Sequence, residues 1–442
     1  MSAMLFLRDV VSVFPPPIGK ALAWVPPRWR LGPVYAQTQR DLAAFRALPL
    51  AAKKQAVTAR VRAILARVAR ENPFYRDWYA AQGFDPGGVN AFEDLTRIPI
   101  VTKADLNTVP LADRSVAQPG RIKTNTGGSS GHPLEFYLDR HAFAREWAHM
   151  HDIWSKVGYA TTDLKLTFRG KNLGTEPLRY NAVYNEYYVN AYAPPDQQAA
   201  AVKAIAPAVR ILHGYPSSIY EFIRFCAEHR RHVLDLLRKD LKGVLLASEY
   251  PAPVYRDLIE GELAAPSVSW YGHSEMVVLA YEVEKYVYEP FQSYGFAEAV
   301  PDQEGASRLV GTSYYNYVSP FIRYDTEDLI IPEFDHGLLT RFRIESGRQG
   351  EFVEDANGSR ISLTALIFGR HHGVFGVARF IQMRQTRPGE ATLIVTAPEG
   401  VELSEEAVRA GFDDTNVAID FAVEVRREPI RSPSGKVPLI VP

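Results

Sequence analysis

Four short segments carry residues whose types and spacing suit chemistry on a phosphorylated ligand. The first is Thr124–Pro133, TNTGGSSGHP, with three glycines, two serines and two threonines. Glycines let backbone N–H groups approach an anion with no Cβ in the way. Successive amides can form a concave nest for phosphate oxygens. Hydroxyls of Thr124, Thr126, Ser129 and Ser130 add donors. No Gly-Lys-Ser/Thr follows at Walker spacing. The same residues also fit a surface turn. The second segment is Trp270–Glu275, WYGHSE. A carboxylate at the C-terminal end of a strand in an α/β sheet stands where ligands bind. Glu275 could give an oxygen to Mg²⁺ that also touches phosphate, or be a solvated residue at a strand exit. The third is Phe321–Leu329, FIRYDTEDL. Asp328 suits the two hydroxyls of a ribose, or the segment is a polar turn with an Arg–Asp pair. The fourth is Arg431–Val441, RSPSGKVPLIV. Lys436, in a Pro-Ser-Gly loop, could supply charge to a transferring phosphoryl group, or be a solvated lysine.

The intervening residues read as the elements that must position these segments. Apolar residues recur at helical spacing over 36–70, with Pro49 as a break. Residues 71–86 read as a loop with short turns. Thr102 reads as a helix cap, with Asp105 at the third position. RIKTN precedes the Gly-rich segment as a strand. From His141 onward, helices and strands alternate. HAFAREWAHMHDIWSKVG, QQAAAVKAIAPAV, SSIYEFIRFCAEHRR and VYRDLIEGELA are helices, and Ser217 or Ser218 reads as a cap. LKLTFRG, VRILHGYP, GVLLASE and SVSWYG are strands. This alternation predicts an α/β sheet with crossover helices. Beyond about Ile331 hairpin signals take over, with Asn-Gly and Pro-Gly turns. The chain thus reads as residues 1–346, with 1–100 as a helical segment packed on them, and a small α+β domain, 347–442.

A length of 442 residues allows two domains and a large core. The formal net charge of -1 lacks the basic excess of a nucleic-acid binder, so no nucleic-acid partner is expected. One cysteine, Cys226, rules out an internal disulfide and a cysteine zinc cluster. The apolar N-terminus is interrupted by Arg8, Asp9 and Pro15–Pro17, so no integral membrane segment is expected. It reads as a packing arm, or as a peripheral contact with a membrane or a partner.

In order and spacing, the four segments resemble the phosphate loop, metal-and-adenine motif, ribose motif and catalytic lysine of the adenylate-forming superfamily of acyl-CoA synthetases. Within it, the chain resembles the phenylacetate-CoA ligase-like branch that includes CapK-type proteins of capsular polysaccharide loci. NPFYRDWYAAQGFDP, IPIVTKADL, HGYPSSIYEF and LLASEYPAPVYRDLIE before YGHSE carry that resemblance, which spans nearly the whole chain. It implies a large domain of β-sheets sandwiched by helices and a small mobile lid. It implies ATP and Mg²⁺ as cofactors, and a carboxylic acid activated as its adenylate. CoA or an amine would be the acceptor, and the protein would be cytoplasmic, with peripheral contact at the inner membrane as an option.

By the same resemblance, Thr124 and Thr126 to Gly131 (Thr126, Gly127, Gly128, Ser129, Ser130, Gly131) would bind the phosphates. Ser248, Glu249, Trp270, Tyr271 and Gly272 would flank the adenine, with His273 and Ser274 in the same ATP-binding segment. Glu275 would hold Mg²⁺, Asp328 the ribose, and Arg348 would sit at the interdomain joint. Lys436 would stabilise the adenylation transition state. Trp147, His151, His213, Gly214, Tyr215 and the run YNAVYNEYYVNAY are candidates for the acid pocket, many of them as packing walls. The sequence departs from the pattern in three places. His132 replaces the loop's usual lysine, Glu327 replaces the glycine of the ribose motif, and Glu351 is the nearest equivalent of the hinge aspartate; His132 and Glu327 also leave open a catalytically degenerate nucleotide-binding protein. The zinc that some relatives bind is not expected, because AYEVEKYVYEPF has no cysteine.

Overall fold

The computed structural model describes residues 11–126, 134–169, 171, 173–190, 193–301, 305–346, 352–358, 360–368, 374, 378–398, 400–414, 417–432 and 437–442. Pro49, which has no N–H to donate, divides the expected helical run into Pro33–Arg46 and Leu50–Glu71. The second helix buries Val57, Val61, Ile64, Leu65 and Val68, one apolar stripe at helical spacing. The segment read as a loop differs, because Pro73–Ala81 is a helix. Asn72 caps it by accepting the Tyr75 N–H, and Pro73 fits the first turn. Burial of Phe74, Tyr75 and Tyr79 holds this short helix in place. Thr102 and Asp105 form the expected reciprocal capping box.

Residues 12–30 are docked on the 178–185 segment. The Ser12 carbonyl accepts from the Ala182 N–H at 3.3 Å, and Arg30 donates to the Val183 carbonyl at 3.4 Å. Gly19 lies so close to Tyr180 that a Cβ there would stand 2.3 Å from the hydroxyl. The outer side of this arm leaves Val13, Trp24 and Trp29 largely exposed. No helix among the described residues is long and apolar enough to cross a membrane.

Strands β1 (Ile122–Asn125) and β2 (Glu135–Leu138) form an antiparallel hairpin that brackets the Gly-rich segment. A twelve-stranded sheet frames the molecule. Its strands are β3 (Leu164–Phe168), β4 (Leu178–Asn181), β5 (Glu186–Val189), β6 (Val209–Gly214), β7 (Gly243–Leu246) and β8 (Ser267–Gly272), then β9 (Leu279–Glu284), β10 (Val287–Pro290), β11 (Gly295–Pro301), β12 (Ser307–Ser313), β13 (Tyr324–Asp335) and β14 (Leu338–Ser346). Their spatial order is β11-β12-β13-β14-β10-β9-β8-β7-β6-β3-β5-β4. The run β5, β3, β6, β7, β8 is parallel, and the other pairings are antiparallel. Helices Pro195–Ile205, Pro216–His229 and Pro253–Leu263 make the crossovers. They bury Val202, Ile219, Phe222, Ile223 and Ile259 against one sheet face. The Ala142–Ser155 helix covers the other face with Met150, Ile153 and Trp154. Neither Ser217 nor Ser218 caps its helix. Pro216 occupies the first turn and shifts the cap position to Tyr215, which makes no side-chain cap bond. The Glu249 carboxylate takes the Ser217 N–H at 3.1 Å instead, a favourable place for negative charge.

A small separate domain follows. It has a hairpin of β15 (Phe352–Glu354) and β16 (Arg360–Ser362), and a sheet of β17 (Phe380–Arg387), β18 (Glu390–Thr396) and β19 (Asp420–Arg426). Its apolar cluster is its own, built around Leu363, Leu366, Ile381, Leu393 and Val408. It rests on the Pro216–His229 helix. Glu221 accepts from both Arg379 and Arg431, Arg224 donates to the Ala378 carbonyl at 3.2 Å, and Phe380 meets Tyr220 and Tyr255 edge-on. The fold is therefore α/β, a large sheet flanked by helices plus a small α+β domain.

Candidate active site

The C-terminal ends of the parallel strands bring distant segments to one edge. Phe168 leads to Arg169, Gly214 to Tyr215, Leu246 to Ser248 and Glu249, and Tyr271 and Gly272 to Glu275. This edge of an α/β sheet is where ligands bind. The approach is tight at Gly214, whose φ is +143° and where a Cβ would lie 2.0 Å from the Phe168 carbonyl oxygen. Only glycine fits there. Tyr215 is buried, and its N–H donates to that carbonyl at 2.9 Å. Ser248 is exposed with a left-handed φ of 66°. Such non-glycine strain tends to cluster at functional sites.

Glu275 is buried, and one carboxylate oxygen accepts from the Tyr324 hydroxyl at 3.2 Å. The other lies 3.1 Å from His273 Nδ1. The Val278 N–H donates to His273 Nε2 at 3.3 Å. A neutral ring protonated at Nδ1 satisfies both contacts, a tautomer assigned from the hydrogen bonds. Ser274 is exposed beside it. On β13, Arg308 pairs with Leu329 but Val310 with Asp325, so Thr326–Asp328 bulge out of the ladder. The bulge aims Asp328 at Tyr271, whose hydroxyl donates to its carboxylate at 2.5 Å. The WYGHSE and FIRYDTEDL segments thus meet. Glu327, the residue that departs from the expected glycine, has a left-handed φ of 66°, a conformation that glycine adopts without strain. The Arg–Asp turn expected as the alternative has other partners. Arg323 grips Glu298 at 2.9 Å and Asp325 takes Arg308 at 2.5 Å.

Thr124 lies on β1, half-buried. Thr126 closes the neck of the Gly-rich segment: its N–H donates to the Leu134 carbonyl at 3.0 Å, and its hydroxyl accepts from the Leu134 N–H at 3.0 Å. Phe136 on β2 meets Phe321 edge-on at 5.2 Å, and Phe321 meets Tyr324 at 4.9 Å. The neck is thereby packed against the residue that holds Glu275. Gly127, Gly128, Ser129, Ser130, Gly131, His132, Arg348, Glu351 and Lys436 lie outside the described residues. Gln382 does donate to the carbonyls of Ile430 and Pro438, which bracket the lysine segment.

Three of the acid-pocket candidates, Trp147, His151 and His213, gather around Trp154. His151 Nδ1 accepts from the Tyr35 hydroxyl at 2.8 Å, and burial pushes its ring down to about 3. Trp147 stacks on Tyr184 at 5.3 Å and meets Trp154 edge-on. His213 lies between Trp154, at 5.2 Å, and Trp270, at 6.2 Å. Burial holds it well below the usual histidine range, and the charges of Arg169 and Lys165 add to that. Both of its ring nitrogens are buried with no hydrogen-bond partner. The sequence reading missed Tyr324, Lys165 and Glu146. Burial raises the Glu146 carboxyl, and it takes the Tyr294 hydroxyl at 2.5 Å. Lys165 had a signal, a lone charge inside the apolar strand LKLTF.

Comparison with solved structures then fixes the architecture. 2-Hydroxyisobutyryl-CoA ligase in its postadenylation state, in complex with R3-HIB-AMP, matches with a TM-score of 0.66 at 18% identity, over 89% of this chain and 90% of that one. The chain has the adenylate-forming ligase fold. The same ligase in its thioesterification state, with 2-HIB-AMP and CoA, gives a TM-score of 0.56 at 19% identity, over 89% and 90% of the two chains. An acyl acid amido synthetase gives 0.59 at 14% identity, over 88% and 89%. No protein-family model and no curated protein matches the chain.

Among the described residues no cluster of three acidic, histidine or cysteine side chains could cage a metal ion. A single carboxylate nonetheless fits Mg²⁺, which keeps its waters and shares substrate phosphates. Glu275, an oxygen donor at the strand edge, is such a group.

Proposed function

We propose that the chain is an ATP-dependent carboxylate ligase that forms an acyl-adenylate and passes the acyl group to CoA or to an amine. The observation that carries this reading is the contact of Tyr271 with Asp328, beside the His273–Glu275 pair, at the C-terminal edge of the parallel strands. The acid's carboxylate oxygen attacks the α-phosphorus of ATP, the bond to the β-phosphate oxygen breaks, and pyrophosphate leaves. Asp328, oriented by Tyr271, accepts the ribose hydroxyls. Gly272, Ser248 and Glu249 border the adenine, and Thr126 opens the phosphate segment. Mg²⁺ on Glu275 would neutralise charge on the phosphates, and Lys436 would stabilise the transition state. The small domain, residues 347–442, would then rotate about the joint near Arg348, a hinge transition. The arrangement of this chain is more similar to the postadenylation state of that ligase, with a TM-score of 0.66, than to its thioesterification state, with 0.56.

The acceptor divides into two readings. Likeness to the CoA ligase favours a thioester, and likeness to the amido synthetase favours an amide. The sequence segments around HGYPS support the CapK-type branch, with a role at capsular polysaccharide. Peripheral membrane contact by the N-terminal arm is part of the reading, supported by exposed Trp24 and Trp29. Vesicle sedimentation of a Trp24→Ala/Trp29→Ala variant tests that contact.

Pyrophosphate release with ATP and a panel of carboxylic acids tests the central claim. Adding CoA or candidate amines then separates the acceptors. Lys436→Ala is expected to abolish release while leaving the melting temperature unchanged. Normal release by that variant would refute the assignment of Lys436.

A further inference from the structure

Lys165, the second residue of β3, is buried, with 2% of its surface exposed. Its ammonium donates to the Tyr184 carbonyl at 2.7 Å and lies 5.7 and 5.5 Å from the rings of Trp154 and Tyr159. It makes no ion pair among the described residues. Glu186, its register neighbour on β5, turns its carboxylate to the Thr167 hydroxyl at 2.8 Å instead. Buried charges are as a rule paired, because an ammonium out of water with one carbonyl partner is costly.

His213 points to the same place independently. It lies on the adjacent strand, opposite Thr167, with both ring nitrogens buried and unpartnered. The Nε of Arg169 is likewise buried with no partner. Lys165 and Arg169 against Glu186 leave the recess with excess positive charge. Its aromatic walls, Tyr159 and Trp270, stay partly exposed above the buried Lys165 and His213. The depth can be read from the strand. Lys165 lies three residues before Phe168, where β3 ends, a rise of about 10 Å. A benzene ring with carboxylates at opposite ends, lengthened by one hydrogen bond to the ammonium, spans roughly that distance.

We infer that the acid taken by this cleft is an aromatic diacid, with its reacting carboxylate at the strand ends and its second carboxylate on Lys165. The inference rests on the reading of the cleft as an acid-activating site. Lys165 is here a specificity residue, and His213 lends the ligand a hydrogen bond on the way in. A monoacid of the same shape leaves Lys165 without its anion, and sites with unpaired buried groups reject such analogues strongly.

The test pairs each monoacid with its para-carboxylated analogue, benzoate with terephthalate and phenylacetate with 4-carboxyphenylacetate. In the full-length protein, kcat/KM for pyrophosphate release is expected to favour the diacid by roughly tenfold or more, the scale of a charge-assisted hydrogen bond. Lys165→Met is expected to bring that ratio near one, and Lys165→Arg to keep a preference. Equal use of both acids by the wild type, or an unchanged ratio in Lys165→Met, overturns the inference. Calorimetric binding of the diacids without ATP separates the two readings. Diacid binding that Lys165→Met loses, with no pyrophosphate released from any acid, sinks the ligase reading and keeps the Lys165 site. Absence of diacid binding, or equal binding by Lys165→Met, sinks the Lys165 site whatever the ligase assay gives.

Discussion

On the β8–β13 side of the cleft, polar groups meet one another. Tyr271 holds Asp328, and Glu275 lies between Tyr324 and His273. On the β3–β6 side they do not. His213 has two unpartnered nitrogens, and Lys165 has a carbonyl and two ring faces. The first side is preorganised: its charges are oriented when the chain folds, as electrostatic stabilisation of a transition state requires. Under the inference above, the second side would gain its partners from a ligand, and selectivity would be largest there. Under the proposed function, nucleotide handling and acid choice would fall on different strands of one sheet.

Four experiments would break or sharpen this contrast. Trp154→Ala, which empties the wall shared by His213 and Lys165, is expected to cost about 3–5 kcal/mol in denaturant unfolding, as for other buried Trp truncations. A much smaller loss would mean that the recess does not depend on close packing. Glu275→Gln keeps the shape of the preorganised side and removes its charge. It is expected to lower pyrophosphate release about 10²-fold, with the midpoint of thermal unfolding nearly unchanged.

Acid should act on the recess. His151 titrates at about 3 and His213 well below the usual value, because burial disfavours their charged forms. In the unfolded chain both bind protons below about pH 6.5. Their contribution is full above that pH and is lost as pH falls toward the folded values, by up to about 1.4 kcal/mol per pH unit for each. Thermal unfolding from about pH 7 to about pH 4 is expected to show this slope, and His151→Gln to flatten it. The smallest effect belongs to the bulge. Glu327→Gly relieves a left-handed backbone and is expected to stabilise the fold by about 1 kcal/mol in urea titration, and to lower the KM for ATP by removing a negative charge.

Much of the frame was legible in the sequence. The parallel strands announced themselves as apolar runs between helices, and the Thr102–Asp105 box was readable because its two bonds are local. The Pro73–Ala81 helix was obscured by its proline and by the glycine that follows, although Asn72 before Pro73 is itself a start signal. Ser217 was misread because Pro216 moved the helix start and Glu249, far along the chain, supplied the carboxylate. The contact of Tyr271 with Asp328 depends on a three-residue bulge in the β12–β13 register. Registers follow from tertiary pairing, so the motif could be seen but its partner could not.

The Pro216–His229 helix joins the cleft to the small domain. Its first turn receives Glu249 through the Ser217 N–H, and one turn on, Glu221 holds Arg379 and Arg431. One turn of α-helix is about 5.4 Å of stiff backbone. The helix is therefore a stiff link: a displacement of the Ser217 turn would carry Glu221 and the two arginines with it. These ion pairs are mostly buried, so salt screens them only weakly, and the contacts of Tyr220 and Tyr255 with Phe380 are apolar. Ionic strength should then leave the link in place.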